Sequence, residues 1–359
     1  MGPGNQTRVT EFVIVGFTLG PHLQLATFAL FLLIYLLSLF GNLVIIALTL
    51  LDYRFHTPMY FFLSNLAFLD IWFISSTVPK MLVNLVTEDK AISFSGCILQ
   101  MYFYLAMGSM EFFMVAIMSV DRYVAICQPL RYNNIMNQKS CVLMMLGCWI
   151  GGFLDFILPT FMVLRLTFCG PNAINHFFCD NSALVRLACS ETQKVELMFF
   201  GIASLVILST LLLTIVSYVY IVITILRIPS ATGRRKAFST CASHFTVVTI
   251  VFGSCIFIYV RPAESSSLDL TKGVALLNSV ITPFLNPFIY TLRNKKVKPV
   301  LEDISHRSNI KDLTLHHDLT LHKLEPRDVG SSGSLTVSSP MRPERVRLTE
   351  LPAPCGSSL

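Results

Sequence analysis

The sequence has few charged residues for its length. Of its 359 residues, 13% are Asp, Glu, Lys or Arg and 53% are hydrophobic, whereas a typical soluble domain is about 25% charged. So few charges cannot cover the surface of a soluble core, which excludes an ordinary soluble globular domain. The charges are also missing from long stretches of the chain, and this predicts segments that lie within a lipid bilayer.

Motifs of catalysis and of transport are missing as well. Neither the G-x-S-x-G motif nor the H-E-x-x-H motif occurs, so no hydrolase site is indicated and the protein is not predicted to be an enzyme. Internal repeats, which a secondary transporter is expected to carry, are not found either. A proton-coupled transporter nevertheless stays open as an alternative, because it too would hold acidic residues at membrane depth.

Seven stretches are long and apolar enough to cross about 30 Å of hydrocarbon. Because an isolated strand cannot pair its backbone groups in lipid, each stretch is predicted to be a helix. The expected fold is therefore an all-α membrane protein, a bundle of seven transmembrane helices. The acidic residues inside the spans are Asp70, Glu111 and Asp155. The spans are predicted at 25–51, 58–79, 94–120, 141–164, 197–226, 237–260 and 273–292.

The glycosylation sequon and the basic residues predict the orientation of these spans. The sequon that begins at Asn5 can be glycosylated only on the lumenal side, so the N-terminus is predicted to be extracellular and, after seven spans, the C-terminus cytosolic. Segments 227–236 and 293–298 are rich in Lys and Arg, as expected on the cytosolic side. The net charge of +6 is thus assigned to the membrane surface, and no nucleic-acid partner is indicated. With no cleavage signal before it, the first span is expected to act as an uncleaved signal anchor.

Four of the ten cysteines fall on the predicted extracellular side, where disulfides persist. Cys97 lies at the extracellular start of the third span, and Cys169, Cys179 and Cys189 lie in the loop between the fourth and fifth spans. Four cysteines indicate two disulfides, and from spacing alone three connectivities are open. A metal site is the alternative, but the loop lacks a CxxC pair.

Short motifs spread along the chain resemble those of one receptor family. The chain is similar to the olfactory receptors, which are rhodopsin-like G-protein-coupled receptors, over residues 5 to about 305. Two positions depart from the family pattern: Ser119-Val120 stands where Ala-Tyr is common, and Val251-Phe252-Gly253 stands where Phe-Tyr-Gly is common. The matching motifs are FGNLVI (40–45), HTPMYFFLSNLAFLD (56–70), VPKML (78–82), DRYVAICQPLRY (121–132), SY (217–218), KAFSTCASH (236–244) and NPFIYTLRN (286–294).

This resemblance implies a function and a location. A small, mostly apolar volatile odorant would bind in the outer half of the helix bundle and activate a stimulatory, olfactory-type heterotrimeric G protein, which raises cAMP. The protein would lie in the plasma membrane of sensory cilia. A receptor for a non-odorant metabolite outside the nose is the alternative within the same mechanism. The resemblance also implies the disulfides Cys97–Cys179 and Cys169–Cys189.

The resemblance further assigns a switch at the cytosolic end of the third span. Asp121 would hold Arg122 while the receptor rests, and Arg122 would be released to the G protein when the sixth span swings outward. Tyr123 belongs to the same motif, and Tyr218 and Tyr290 resemble the tyrosines that turn inward to meet the arginine. Interfacial anchoring is the simpler interpretation of these tyrosines.

The ligand pocket is predicted from helical phase and from the family. Tyr104 stands where aminergic receptors carry an Asp, so the third span is expected to offer no counter-ion to a cationic amine. The candidate lining is mostly apolar, which suits a small neutral ligand held by shape and one hydrogen bond. Packing against helices or lipid is the alternative for each residue. The predicted lining residues are Met101, Tyr104, Leu105, Gly108, Ser109, Ile202, Val206, Cys255, Ile256, Tyr259, Leu276, Ser279 and Val280.

Two carboxylates are expected to meet in the middle of the membrane. Counting 1.5 Å per residue places Asp70 and Glu111 at one depth, with Asn42 and Asn286 in the same half of the bilayer. In a low dielectric both acids cannot stay charged without help, so they share a proton or bind a cation. The resemblance favours a sodium ion at Asp70, Glu111 and Asn286. A neutral, hydrogen-bonded polar core is the third interpretation, and no other cofactor is expected.

Three further predictions complete the assignment. Asp155 receives no role, since it could line the pocket, pair with Arg165 or face a loop, and His244 is predicted to be an interfacial histidine. The chain is divided into an extracellular N-terminus (1–24), the receptor domain (25–292), a short amphipathic cytosolic helix (293–306) and a tail (307–359). The tail is rich in Ser, Pro and Gly, which predicts disorder.

Overall fold

The computed structural model describes residues 9–17, 19–169, 171–260 and 268–292. The predicted helix at 293–306, the tail at 307–359 and the sequon residue Asn5 lie outside these ranges. The helices are α1 (Pro21–Leu51), α2 (Pro58–Val86), α3 (Phe94–Cys127), α4 (Tyr132–Ile135), α5 (Gln138–Asp155), α6 (Ile157–Leu164), α7 (Asn181–Val185), α8 (Gln193–Leu226), α9 (Ala231–Val260), α10 (Leu268–Leu276) and α11 (Thr282–Leu292). The strands are β1 (Glu11–Ile14), β2 (Ala91–Ser93) and β3 (Ala173–Ile174).

The predicted seven-helix membrane fold is confirmed. Within the described ranges, six segments are long and apolar enough to span a membrane: α1, α2, α3, α5 with α6, α8, and Lys272–Tyr290. The remaining span, the sixth along the chain, is α9, whose two arms, Ala231–Ser239 and Cys241–Ile256, meet at an angle of 45°.

Several helices differ from their predicted limits. Helix α2 continues through Pro79 to Val86, and α3 continues to Cys127, so that the charged pair Asp121-Arg122 lies within the helix and not at its exit. The fourth span breaks at Phe156, between α5 and α6. The seventh span contains a π-helical turn at Leu277–Ile281. Such local changes in winding leave the hydropathy of a span unchanged, and sequence periodicity therefore does not reveal them.

Helix α3 forms the centre of the bundle, and α1 and α8 lie at its edge. The most apolar stretch of α3 is 61% buried, whereas those of α1 and α8 are 17% and 22% buried. Leu205, Leu208 and Leu212 on α8 are each at least 64% exposed, and their spacing puts them on one face. An apolar face of this kind is suited to contact with lipid.

The first and seventh spans meet at a proline. Pro287 has no N–H to donate to the carbonyl of Pro283, one turn earlier. That carbonyl accepts hydrogen bonds from Ser38 Oγ (3.2 Å) and Asn42 Nδ2 (3.1 Å) instead. Gly41 permits the close approach, because a Cβ there would lie 2.9 Å from Pro287 Cβ. Asn42 therefore stabilises the contact between α1 and α11 and is not part of the group formed by Asp70 and Glu111.

A small sheet, here called the β cap, covers one end of the bundle. Strand β1 pairs antiparallel with β2 and parallel with β3, and Phe12 and Ile14 of β1 are fully buried. Disulfides join Cys97 to Cys179 and Cys169 to Cys189, the pairing that the resemblance implies. The first of them fixes the loop after β3 to the start of α3.

Candidate functional site

A cavity of about 100 Å³ lies between α2, α3, α9 and the π-helical turn. Helix α3 supplies five of the nine lining residues, and four of these recur at positions 104, 108, 111 and 112, which lie on one helical face. The lining consists of Phe73, Tyr104, Leu105, Gly108, Glu111, Phe112, Val251, Cys255 and Asn278. A separate, more open cleft of about 380 Å³ is bounded by α7, α8 and the break at Phe156, and Leu105 lies in the walls of both.

Four predicted ligand residues line the smaller cavity: Tyr104, Leu105, Gly108 and Cys255. Tyr104 also packs against two rings, with its centroid 4.3 Å from that of Phe178 below the β cap and 5.3 Å from that of Phe73. The aromatic ring of Tyr104 thus forms the wall between the cavity and the β cap.

Eight other predicted ligand residues do not line this cavity. Met101 is fully buried in the cluster under the β cap, and the half-buried Ile202 packs against this cluster. Ile256 is 43% exposed, because its neighbour Cys255 already faces the cavity and successive residues of a helix point about 100° apart. On the seventh span, Leu276 and Val280 pack against the buried residues of α2, and Ser279 Oγ donates to the carbonyl of Ala275.

Two of these eight residues lie on other faces of their helices. Val206 is buried on α8, where its carbonyl accepts a hydrogen bond from Thr210. Ser109 Oγ donates to the carboxylate of Asp155, which gives Asp155 a partner on α3 that the sequence did not suggest. The ninth remaining candidate, Tyr259, has a side chain outside the part of the chain that is described.

The polar end of the cavity is formed by Glu111 and Asn278. The Asn278 Oδ1 atom accepts a hydrogen bond of 2.7 Å from Ser254 Oγ. Glu111 is 5% exposed, and its Oε1 atom has no hydrogen-bond partner among the described residues. The cavity therefore ends at a buried carboxyl oxygen that is free to accept a hydrogen bond.

Asp70 and Asn286 meet in the middle of the bundle. Asn286 Nδ2 donates to Asp70 Oδ2 at 2.9 Å. Asp70 Oδ1 and Asn286 Oδ1 are buried and have no partner among the described residues. No hydrogen bond joins Glu111 to either of them in this part of the chain, but Glu111 is close enough to act on Asp70 electrostatically. Asp70, Asn286 and Glu111 thus each present a buried oxygen that has no hydrogen-bond partner among the described residues.

At the other end of α3, a buried ion pair is bound by a tyrosine. Arg122 Nε donates to Asp121 Oδ2 at 3.0 Å, and Arg122 Nη2 contacts the same oxygen. Tyr132 of α4 donates its hydroxyl to Asp121 Oδ1 at 2.8 Å. Asp121 is fully buried and Arg122 is 9% exposed. Both carboxylate oxygens of Asp121 are therefore occupied, and the role of Tyr132 was not predicted.

None of the three tyrosines predicted for the switch forms a hydrogen bond with this pair among the described residues. Tyr123 packs against Tyr220 with the rings tilted and their centroids 5.8 Å apart, and so it faces α8. The Tyr218 hydroxyl lies 2.7 Å from His244 Nδ1. Tyr290 is buried, and its hydroxyl has no partner among the described residues. His244 is fully buried, so the prediction of an interfacial histidine is wrong, because α9 turns this residue toward α8.

A second group of polar residues, also not predicted, lies under the β cap. Lys272 Nζ donates to Asn175 Oδ1 at 2.8 Å and to the carbonyl of Gly16 at 3.2 Å, which ties the seventh span to the N-terminal segment. His176 is 2% exposed and packs against the rings of Phe177 and Phe178. Burial, together with nearby Lys272, lowers the pKa of His176 to about 4, although Asp180 opposes the shift.

These features define a class of protein. A bundle of apolar helices with a small, mostly apolar cavity toward one end and a buried ion pair toward the other has the organisation of a seven-helix membrane receptor.

Comparison with known proteins gives the family. The family model described as "Olfactory receptor" matches residues 31–307. Olfactory receptor 6F1 of Homo sapiens is 52% identical over 301 residues, which cover 84% of this chain and 98% of that protein. Olfactory receptor 6E1 of Mus musculus is 52% identical over 300 residues, which cover 83% and 96%. The chain belongs to the olfactory receptor family.

Membership of this family settles the class of activity. The protein is an odorant receptor of the G-protein-coupled type and a multi-pass membrane protein, and not an enzyme. The alternative of a proton-coupled transporter is thereby excluded.

Proposed function

We propose that this receptor binds a small, mostly apolar volatile ligand in the cavity beside Tyr104 and activates a stimulatory, olfactory-type G protein, which raises cAMP. The cavity carries the proposal. It is small, it is lined mainly by apolar and aromatic side chains, and it contains few polar groups, which is the usual composition of a site for a small organic ligand.

The arrangement at the other end of α3 supports a resting state. Arg122 is held by Asp121, and Tyr132 holds the free oxygen of that carboxylate. A buried ion pair loses much of its stability when one partner is removed. Helix α9 contributes Val251 and Cys255 to the cavity wall, so ligand binding in the cavity would shift the position of α9. Movement of α9 would then release Arg122 to the G protein.

The proposed orientation places the β cap outside the cell and the Asp121–Arg122 pair in contact with the cytosol. Two disulfides lie at the β cap, and disulfides persist on the oxidising side of a membrane. The receptor would then reside in the plasma membrane of sensory cilia, with Asn5 available for glycosylation.

We also propose a sodium ion as an allosteric partner in the resting state. Asp70, Asn286 and Glu111 each present a buried oxygen without a donor, and a hard cation is suited to such oxygens. A shared proton is the competing explanation, and it predicts a response to pH instead of sodium.

The decisive experiment is a cAMP assay in cells that express the receptor with an olfactory-type stimulatory G protein, screened against volatile odorants and water-soluble metabolites. Substitution of Leu105 by Ala should change the order of ligand potency, whereas Ile256→Ala, on an exposed face of α9, should not. A response to odorants that both variants leave in the same order would contradict the cavity. A response to metabolites alone would favour a receptor with a non-odorant ligand.

A further inference from the structure

We infer that the cleft between α7 and α8, here called the outer cleft, binds one zwitterionic phospholipid of the outer leaflet, phosphatidylcholine. One acyl chain would fill the outer cleft, and the headgroup would lie between Arg186 and Glu196. The inference uses the proposed orientation, in which the β cap is extracellular, and it does not depend on where odorants bind.

The outer cleft has the size of a binding site and an apolar wall. Its volume is about 380 Å³, within the range of about 300–1,000 Å³ that is usual for sites of small organic molecules. On α8 it extends from Glu196 to Ala203, seven residues, which is about 10 Å along the helix. The apolar part of the wall consists of Leu105, Phe156, Val185, Phe199, Phe200 and Ala203. A pocket of this depth suits the first part of an acyl chain.

The outer cleft lies beside surfaces that are suited to contact with lipid. Phe200 lines it and is 57% exposed, and Leu197, three residues earlier on α8, is 68% exposed. Phe161 of α6, on the other side of the cleft, is 50% exposed. Because the hydrocarbon region of a bilayer contains no water to fill such a cleft, a lipid chain is the molecule at hand to occupy it.

Two charges of opposite sign lie at the rim of the outer cleft. Arg186 of α7 and Glu196 in the first turn of α8 are exposed and line the cleft, and among the described residues no ion pair joins them. A guanidinium is well suited to bind a phosphate. The quaternary ammonium of choline can pair with Glu196 and contact the ring of Phe199, one turn deeper. A headgroup with both charges therefore matches the rim better than a headgroup of one sign.

Leu105 connects the outer cleft with the cavity beside Tyr104, because it lies in the walls of both. An acyl chain in the cleft would limit the space into which Leu105 can move when an odorant enters the cavity. Lipid and odorant should therefore change each other's affinity, by the same factor in both directions. This consequence rests on the proposed function, whereas the binding of the lipid does not.

The test is a lipid titration of the purified full-length receptor in lipid-free detergent, with the bound lipids counted by native mass spectrometry. Three lipids share dioleoyl chains: phosphatidylcholine has a phosphate and an ammonium, phosphatidylglycerol has the phosphate alone, and trimethylammonium propane has the ammonium alone. Wild type should bind its first phosphatidylcholine about 2- to 5-fold more tightly than either of the others, because each exposed ion pair contributes modestly.

Each rim variant should remove one of these two preferences. Arg186→Gln should bind phosphatidylcholine and the ammonium lipid equally, and Glu196→Gln should bind phosphatidylcholine and phosphatidylglycerol equally. The matched control is Lys194→Gln, at an exposed residue of α8 that does not line the cleft, and it should keep both preferences.

A third variant tests the place of the acyl chain. Ala203→Trp puts a ring into the outer cleft and should abolish the tightest binding step for all three lipids. Leu205→Trp, on the 70% exposed face of the same helix, should bind them as wild type does. If Ala203→Trp is not expressed, Ala203→Leu is the smaller substitution, and the two rim variants decide without either.

Four results would count against the inference or its basis. Equal affinities of wild type for the three lipids would overturn it, and so would a first lipid that Ala203→Trp or Ala203→Leu binds as tightly as wild type. The most potent odorant of the cAMP screen should shift the affinity for phosphatidylcholine about 5-fold or more. An unchanged affinity would refute the coupling through Leu105 and leave the lipid site intact. Silence toward every odorant in that screen would instead contradict the proposed function.

Discussion

Asp121 accepts hydrogen bonds from two residues at once, and the two should have opposite effects when they are removed. Arg122 is the group that we expect to reach the G protein. Arg122→Ala should therefore abolish the ligand-driven cAMP response while surface expression stays near the wild-type level. A normal response from this variant at matched expression would rule out the assignment of the switch.

Tyr132 should act in the other direction. Its burial and the nearby Asp121 carboxylate raise the pKa of Tyr132 above its ordinary value, so that the phenol keeps its proton and donates at physiological pH. Tyr132→Phe removes one hydrogen bond to a charged group, about 1.5–3 kcal/mol. Because the resting pair is weakened, basal cAMP should rise severalfold without ligand. An unchanged basal cAMP level would show that Tyr132 packs against its neighbours but does not stabilise the resting Asp121–Arg122 pair.

The proposed sodium ion gives a prediction at Asp70. An ion that binds the resting state better must oppose agonist binding by linkage. Raising sodium at constant ionic strength should weaken agonist potency, and Asp70→Asn should remove the effect. If wild-type potency ignores sodium and follows pH, the two acids share a proton instead.

The residues of the site show which of its features can be predicted from the sequence. Tyr104, Leu105, Gly108 and Cys255, which helical phase and the family pattern both placed in the ligand site, line one cavity in the structure. Glu111 was assigned to the ion alone, since its depth was counted but its position on the face of Tyr104 was not used. Tyr132 was missed because its contact with Asp121 depends on the position of the short helix α4, which no periodic pattern in the sequence predicts.

At the scale of the elements, the β cap is the part of the fold that hydropathy could not reveal. Its strands have two to four residues, too few for alternation to stand out, and they pair segments that are about 80 residues apart in sequence or more. The seven spans were found because each carries a long uninterrupted apolar signal. The bend in α9 and the π-helical turn leave that signal unchanged.

His176 should make the β cap sensitive to acid. Its pKa falls from an ordinary value of 6.5 to about 4 in the folded protein, so the unfolded cap binds a proton more readily. The contribution of His176 to the free energy of unfolding is therefore fully present above pH 6.5. It decreases by on the order of 3 kcal/mol as the pH falls toward 4. The thermal unfolding midpoint of the purified receptor should drop between pH 7.5 and pH 5.

The matching variant is His176→Phe, which keeps a ring against Phe177 and Phe178 but cannot titrate. It should flatten the pH dependence, whereas His22→Phe, at an exposed position, should not. If His176→Phe and wild type lose stability in parallel on acidification, another group is responsible.

The disulfide between Cys97 and Cys179 should be essential for expression. It connects the loop after β3 to α3, and its loss should cost about 2–5 kcal/mol. Cys97→Ser or Cys179→Ser should leave the receptor in the endoplasmic reticulum, while Cys127→Ser, a free cysteine elsewhere on α3, should reach the surface. Normal surface staining of both disulfide variants would contradict this requirement.

At the scale of the whole molecule, the family match ends at residue 307 and the chain continues for 52 residues more. Those residues are poor in the apolar side chains that a packed domain requires. Truncation after Arg307 should therefore leave ligand potency, maximal cAMP and surface expression unchanged. A loss of any of the three would give the tail a function of its own.

The close approach at Gly152 divides the bundle into a fixed part and a moving part. A Cβ at Gly152 would overlap Met110 of α3 and lie 3.2 Å from the carbonyl of Ala106, so α5 and α3 have no free space between them in which to slide. The Ser109–Asp155 contact and the Cys97–Cys179 disulfide hold α3 further. Helix α9 is bent and has no covalent tie to α3. On activation, α9 should therefore be the helix that moves, and α3 should keep its position.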